Sequence, residues 1–231
     1  EDFKIGEKRA SRFDAVKEVA REFIRHREND RIGMVLFAGR TYTACPLTLD
    51  HEWVLQSLGR IEIGMIEDNT ALGLGLSAAL NRLKESSAKG KVVILLTDGR
   101  NNAGEISPLA AAMAAHALKI KVYTIGAGSK GPAPYPVMDP FGKKTHRLIP
   151  LDIDEDLLKQ VASRTDSKYF RVTDSASLKE TFQEIDRLEK TPLEQKAYYQ
   201  HQEGFNLFLI PGLLLIFLEV ILRNTLLRKI P

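Results

Sequence analysis

The 231-residue sequence contains only one cysteine, Cys45, and only one tryptophan. A single cysteine excludes an intramolecular disulfide framework and a cysteine-rich zinc site, and we expect Cys45 to be a packed small side chain rather than a reactive thiol. The five histidines are scattered, and none pairs with a nucleophile at a spacing that indicates catalysis. The sequence also lacks a Walker A motif. These absences argue against disulfide-stabilised, zinc-finger and P-loop proteins.

The chain also lacks a strong excess of charge of either sign. Its formal net charge is +3. The segment from residue 205 onward carries a balance of +2, which leaves +1 for everything before it. Since a nucleic-acid-binding domain normally carries a basic stripe, the sequence predicts no nucleic-acid partner.

What the sequence does contain, over residues 1–190, is an alternation of helical and strand patterns. With 44% hydrophobic and 27% charged residues, this part can build an ordinary globular core. The patterns predict helices over 11–27, 51–60, 71–85, 108–118, 154–164 and 176–189, and strands over 31–38, 40–44, 91–97, 121–125 and 168–172. The segment 40–44 is a short edge partner that ends before Pro46. Such alternation predicts an α/β fold with a mostly parallel sheet.

The most informative strand is the continuous apolar run over 91–97, which ends at Asp98-Gly99. A run without polar alternation is typical of a parallel strand covered on both faces, and ligands bind at the carboxyl ends of such strands. Asp98 is therefore a candidate site residue. The alternative is that Asp98 only forms an Asx-type turn that satisfies backbone amides.

A second candidate is Thr70, at the junction between a loop and the helix predicted over 71–85. Thr70 could serve only as the helix N-cap. Together, however, a hydroxyl and the Asp98 carboxylate on neighbouring loops are hard oxygen ligands suited to Mg²⁺. Two such ligands are too few for a complete site.

Two other motifs resemble ligand-binding sequences, but the residues around them argue against binding. Residues 126–131 match the G-x-G-x-x-G dinucleotide pattern, but the prolines that follow forbid the helix that would hold a pyrophosphate. We predict instead a hairpin within the insertion 126–150, with a type I turn over 139–142. Asp152, Asp154 and Asp156 resemble the start of a calcium loop, but we expect them to cap a helix and add negative charge at its N-terminus.

The C-terminal segment belongs to another class, because residues 205–222 include only Asn206 and Glu219 as polar residues. At about 1.5 Å per residue, this span nearly matches a hydrocarbon core of about 30 Å. We predict a linker over 191–204, a transmembrane helix over 205–227 and a short basic tail over 228–231. The basic residues after the span favour a cytoplasmic C-terminus, with the globular domain outside the cytoplasm.

Several short motifs follow one another along nearly the whole chain: residues 30–33 with 37–39, 46–50, 68–71, 92–99 with Asn101 and Asn102, 123–126, 168–171 and 184–190. Together they resemble a von Willebrand factor A (VWA) domain of the aerotolerance-type (Bat-like) bacterial membrane subgroup. The resemblance implies a doubly wound, Rossmann-like α/β sheet over residues 1–190.

The resemblance also implies a metal-ion-dependent adhesion site. In the family this site combines an Asp-x-Ser-x-Ser motif after the first strand, a threonine on a second loop and an aspartate after the fourth strand. The last two correspond to Thr70 and Asp98, whereas the Asp-x-Ser-x-Ser motif is absent. We therefore expect that the chain is truncated at its N-terminus and lacks the first, central strand. Asn69 stands where the subgroup usually has glycine, so we expect this loop to bend differently.

The function that the resemblance implies is a membrane-anchored binding module without catalytic turnover. Mg²⁺ held by Thr70, Asp98 and the absent motif would bind a partner's carboxylate, with weak or no Mg²⁺ binding by this chain alone. The expected partners are other VWA-type membrane proteins, with a functional link to a MoxR-type AAA+ ATPase, at the bacterial cytoplasmic (inner) membrane. The alternatives are a metal-independent membrane scaffold with a degenerate site and an α/β hydrolase using Asp98.

Overall fold

The structure is a computed structural model that describes residues 3–5, 8–10, 12–27, 29–128, 132–138, 144–150, 153–189 and 205–224. Its chain divides into two units, Glu1–Lys190 and Thr191–Pro231. The strands of the first unit are β1 (Phe3–Ile5), β2 (Lys8–Ala10), β3 (Ile32–Phe37), β4 (Thr41–Thr48), β5 (Val92–Thr97), β6 (Lys121–Ala127), β7 (Pro132–Met138), β8 (Lys144–Pro150) and β9 (Tyr169–Val172). Its helices are α1 (Arg12–Arg25), α2 (His51–Arg60), α3 (Leu72–Leu83), α4 (Pro108–Ala117), α5 (Glu155–Ser163) and α6 (Ser175–Glu189).

A parallel sheet in the order β5-β6-β9 forms the centre of the first unit. Adjacent residues of β6 point to opposite faces of this sheet: Val122 packs against α3, α4 and α5, whereas Tyr123 packs against α1 and α6. Both faces are therefore covered by helices, which explains why the strands are apolar without alternation. The predicted α/β fold, with a parallel sheet between two layers of helices, is confirmed.

The antiparallel pair β3-β4 differs from the sequence prediction in its length. The strand predicted over 40–44 continues through Pro46 to Thr48, and the register shifts between Ile32 and Val35. The expectation that it ends before Pro46 was wrong. Proline lacks a backbone N–H, yet it is tolerated on an edge strand or at an irregularity of the ladder, and β4 pairs only with β3 among the described strands.

Strands β3 and β5 belong to separate sheets, since no hydrogen-bonded pairing joins them within the described residues. Helices nevertheless span both. On one face, α1 packs Val19 near β5 and Ile24 near β3; on the other, α3 packs Leu76 against β5 residues and approaches Phe37 of β3 at Gly75. The two sheets are therefore joined by helices on both faces.

The burial of Cys45, the cap of α5 and the β7-β8 hairpin agree with the sequence predictions. Cys45 is buried, and this burial raises the pKa of its thiol, as suits a packed side chain. The Asp154 carboxylate caps α5 by accepting a hydrogen bond from the Leu157 backbone N–H at 3.0 Å. Strands β7 and β8 pair as an antiparallel hairpin, whereas the turn predicted over 139–142 lies outside the described residues.

The described part of the second unit is one helix, α7 (Phe205–Asn224), with Pro211 inside it. The predicted boundary at 227 lies outside the described residues. Its apolar side chains, including Leu214 and Leu215, are exposed. Among the helices in the described ranges, none meets the combined length and hydropathy required to cross a membrane, so the predicted transmembrane helix is not confirmed.

Gly73 on α3 provides a test of helix packing. A Cβ at Gly73 would lie 1.9 Å from the carbonyl oxygen of Ile106, so backbone would have to move. We expect Gly73→Ala to lower the free energy of unfolding by about 1–3 kcal/mol, the usual cost of overpacking. Urea denaturation of the purified chain measures this change.

Gly59 on α2 is the matched control, because a Cβ there meets nothing within 4 Å. We expect Gly59→Ala to raise the free energy of unfolding by about 0.4–1 kcal/mol, since alanine restricts the unfolded chain. Equal effects of the two substitutions would contradict the close approach of α3 to the Ile106 backbone.

Candidate functional site

Two loops meet at the carboxyl end of β5: residues 61–71, which lead into α3, and residues 98–107, which lead into α4. The Thr70 hydroxyl oxygen lies 3.1 Å from the position that a Cβ on Gly99 would occupy. Gly99 directly follows Asp98, so the structure brings Thr70 and Asp98 to the same edge of the sheet. Thr70 is half-buried and Asp98 is exposed.

Two asparagine side chains fasten these loops together. The Thr70 backbone N–H donates to the Asn102 side-chain oxygen at 2.7 Å, and the Leu72 N–H donates to the Asn101 side-chain oxygen at 2.9 Å. In return, the Asn102 N–H donates to the Thr70 carbonyl at 3.0 Å. Thr70 is thus held by hydrogen bonds on both sides of its peptide, which fixes its backbone relative to Asp98's loop.

The loop that carries Thr70 is also fastened to the carboxyl end of β3. The Ala71 N–H donates to the Ala38 carbonyl at 2.8 Å, and the Gly39 N–H donates to the Glu67 carbonyl at 2.9 Å. A Cβ at Gly39 would come within 3.2 Å of that same Glu67 oxygen. The Thr70 loop therefore bridges the carboxyl ends of β3 and β5, although these strands are not paired.

The structure rejects the purely local role considered for Thr70. The N-cap residue of α3 is Ala71, and no side-chain cap hydrogen bond is made there. The first N–H of the helix is satisfied instead by Asn101 from the other loop. After β5, the Thr97 hydroxyl accepts a hydrogen bond from the Gly99 N–H at 3.2 Å. The Thr70 hydroxyl does not cap α3 and instead faces the Asp98-Gly99 segment.

The donor set suits a hard divalent cation but does not complete a site. A threonine hydroxyl and an aspartate carboxylate are oxygen ligands of the kind that Mg²⁺ prefers, with water filling other positions. Among the described residues, no group of three or more His, Cys, Asp or Glu side chains is placed to hold a metal. Thr70 and Asp98 therefore fit one part of a magnesium site, and further ligands must come from elsewhere.

Sequence reasoning named Asn101 and Asn102 as parts of a motif but missed what they do. Their role depends on contacts made across 29 and 32 residues of chain, which no local pattern shows. Two consecutive asparagines just beyond an Asp-Gly turn were the available signal, because short amides readily bond to backbone groups.

The asparagine contacts predict the effect of Asn102→Ala. Removing the Asn102 side-chain oxygen leaves the Thr70 N–H without its partner at 2.7 Å. We expect the free energy of unfolding to fall by about 0.5–1.5 kcal/mol, the usual net value of one hydrogen bond. Faster hydrogen exchange at the Thr70 amide, measured by NMR, should accompany this loss.

Asn81, which is exposed on α3, provides the matched control. We expect Asn81→Ala to leave the Thr70 exchange rate unchanged and stability within about 0.5 kcal/mol, as at most surface positions. If Asn102→Ala likewise leaves that rate unchanged, Asn102 does not fasten the loops.

Comparison with known proteins identifies the family. The model of the von Willebrand factor type A domain matches residues 7–184. An uncharacterized protein of Borreliella burgdorferi is 30% identical over 220 residues, which cover 95% of this chain and 64% of that protein. The chain thus spans less than two thirds of that curated relative.

Solved structures agree with this assignment. An aerotolerance-related membrane protein from Bacteroides fragilis, carrying multiple mutations to serine, is 27% identical, with a TM-score of 0.64 over 78% of this chain and 90% of that chain. The conserved hypothetical protein BatB from Bacteroides thetaiotaomicron is 28% identical, with a TM-score of 0.66 over 78% and 89% of the two chains.

A more distant structure shares the fold. Proximal thread matrix protein 1 from the mussel byssus, with zinc in its MIDAS motif, is 21% identical, with a TM-score of 0.58 over 76% of this chain and 40% of that one. The family match, the α/β architecture and the loops around Thr70 and Asp98 lead to the same conclusion: the chain belongs to the von Willebrand factor type A domain family, and its structural neighbours include Bat aerotolerance-related proteins.

Proposed function

We propose that this protein is a membrane-anchored interaction module that binds a protein partner through a Mg²⁺-dependent adhesion site and performs no catalytic turnover. The observation that carries the proposal is the position of the Thr70 hydroxyl, 3.1 Å from where a Gly99 Cβ would be. It brings a neutral oxygen beside the residue that follows the Asp98 carboxylate.

Thr70 and Asp98 would hold the metal, together with further oxygen ligands that complete its coordination. The bound ion would supply a fixed positive charge that attracts a carboxylate of the partner. Zinc in the MIDAS motif of the mussel protein supports a divalent cation in this fold family. The Asn101 and Asn102 contacts keep Thr70 in place before any ligand arrives, which reduces the ordering cost of binding.

We propose that α7 anchors the protein in the bacterial cytoplasmic membrane, with the first unit on the extracytoplasmic side. Support comes from its 20 residues, close to the length needed to span a hydrocarbon core, and from apolar side chains exposed around it. The Bacteroides fragilis neighbour is itself called a membrane protein. The proposed partners are other VWA-type membrane proteins, with a functional link to a MoxR-type AAA+ ATPase.

The metal site is tested by Asp98→Ala in the whole protein. We expect at least tenfold weaker capture of a second VWA-type membrane protein of the same organism in 2 mM Mg²⁺, because the carboxylate ligand is lost (about 1.4 kcal/mol for each tenfold change). Thr70→Val should act likewise, whereas Thr70→Ser, which keeps the hydroxyl, should retain capture. Affinity purification with quantitative immunoblotting provides the measurement.

Glu85→Ala is the control, since Glu85 is exposed just beyond the opposite end of α3. It should leave capture unchanged. Capture that persists in EDTA would refute the metal mechanism and favour a metal-independent scaffold. An intact Asp-x-Ser-x-Ser in the upstream codons would support the adhesion site, and a degenerate one would support the scaffold.

The anchor is tested by the double change Leu214→Asp and Leu215→Asp. An aspartate near the centre of a membrane span costs about 2.5–3.5 kcal/mol of insertion free energy. We expect the variant to leave the membrane fraction after an alkaline carbonate wash, while the unchanged protein stays. Met113→Asp with Leu118→Asp, at exposed positions on or beside α4, is the matched control; equal extraction of both variants would rule out anchoring by α7.

A further inference from the structure

The loop between α2 and α3 contains a tight turn at Glu62–Met65. The Met65 N–H donates to the Glu62 carbonyl at 3.4 Å, and the Glu62 N–H donates to the Met65 sulfur at 3.3 Å. Gly64 occupies the third position with φ +92°, which is the conformation that a type II turn requires and that glycine adopts without strain. The turn is therefore closed by its own contacts and has Ile63 at its tip.

The side chains that this turn exposes are apolar. Ile63 is 77% exposed and Met65 is 59% exposed, and no other large apolar side chain in the described part of the chain is as exposed as Ile63. Turn tips usually carry glycine, asparagine, aspartate or serine. An isoleucine and a methionine exposed together on one small turn offer a partner apolar surface to bury.

The turn lies in an acidic loop. The loop 61–71, which contains the turn, carries three exposed acidic residues, Glu62, Glu67 and Asp68, and no basic residue. Bases border this loop: the Lys17 ammonium donates to the Ile61 carbonyl at 3.0 Å, and Arg40 lies 3.7 Å from Glu67. At physiological ionic strength charges act over about 8 Å, so the acids of this loop attract basic groups that come close to them.

We propose that the Glu62–Met65 turn docks into a protein partner that offers an apolar pocket bordered by lysine or arginine side chains. Ile63 fills the pocket, and the acidic loop pairs with the basic border. The inference deepens the proposed function, on which it rests in one respect: the turn belongs to the loop that ends at Thr70, so the docked partner lies beside the metal site. A rigid turn loses little freedom on docking.

The test uses a photoreactive side chain, p-benzoylphenylalanine, in place of Ile63 in the full-length protein in its own cells. The change keeps an apolar group at an exposed position, so folding should be unaffected. We expect a crosslink to protein, and mass spectrometry should map it to an apolar segment with lysine or arginine within a few residues. The same probe at Met113, which is 60% exposed on α4, should crosslink at least fivefold less.

Charge reversal completes the experiment. Adding Glu62→Lys and Asp68→Lys to the probe-bearing protein should reduce the crosslink at least fivefold, whereas Lys84→Glu with Lys89→Glu, beyond the far end of α3, should not. No crosslink at position 63, a crosslink to lipid, a crosslink to an acidic segment or equal yield at position 113 would overturn the proposal.

The docking turn and the metal site can fail separately. Suppose that the position-63 crosslink persists with Asp98→Ala and in EDTA, and that capture does not depend on Mg²⁺. This result would support the docking proposal and reject the adhesion-site proposal. Mg²⁺-dependent capture without a crosslink at position 63 would retain the adhesion site and reject the docking turn.

Discussion

The pair of asparagine side chains after β5 is the interaction on which the candidate site depends. Asn101 accepts from the Leu72 N–H at the start of α3, where a helix leaves its first donors without internal partners, and Asn102 accepts from the Thr70 N–H in the preceding loop. Most helices meet this need with a local cap. Here the cap comes from another loop, and the adjacent asparagine of that loop holds Thr70, so neighbouring side chains begin α3 and place Thr70 beside Gly99. The start of α3 and the position of Thr70 therefore depend on the same loop.

Helix α3 gives this arrangement its position relative to both sheets. Gly73 allows its backbone to approach the Ile106 carbonyl, and Gly75 allows contact with the ring of Phe37. Either contact would be blocked by a Cβ. Because β3 and β5 are not hydrogen-bonded to each other, this close packing, with α1 on the opposite face, keeps their carboxyl ends at one edge. The glycines of α3 therefore contribute to the site without touching a ligand.

The sequence predicts those parts of the structure that depend on local pattern. The apolar run of β5 and the Asp154 cap of α5 could be read directly, because burial on two faces and helix capping leave clear residue preferences. The length of β4 could not, since Pro46 is a strand breaker that only an edge position or irregular pairing allows. Nor could the α3 cap be assigned: Thr70 had the right chemistry for it, but the acceptor came from Asn101, 29 residues away.

The charges at the carboxyl end of β5 allow one partner to supply both a carboxylate for the metal and basic residues for the acidic loop. Without a cation, the acids around Asp98 would repel any carboxylate brought to Thr70, so the edge alone favours basic groups. A divalent ion changes only its immediate surroundings, because its field is screened within about 8 Å. Next to it a single carboxylate becomes favourable, while Glu62 and Asp68 continue to attract lysine and arginine. A partner that binds both the ion and the acidic loop must place one carboxylate among basic and apolar residues. A purely acidic or purely apolar surface lacks this combination, so the combination would give the interaction its specificity.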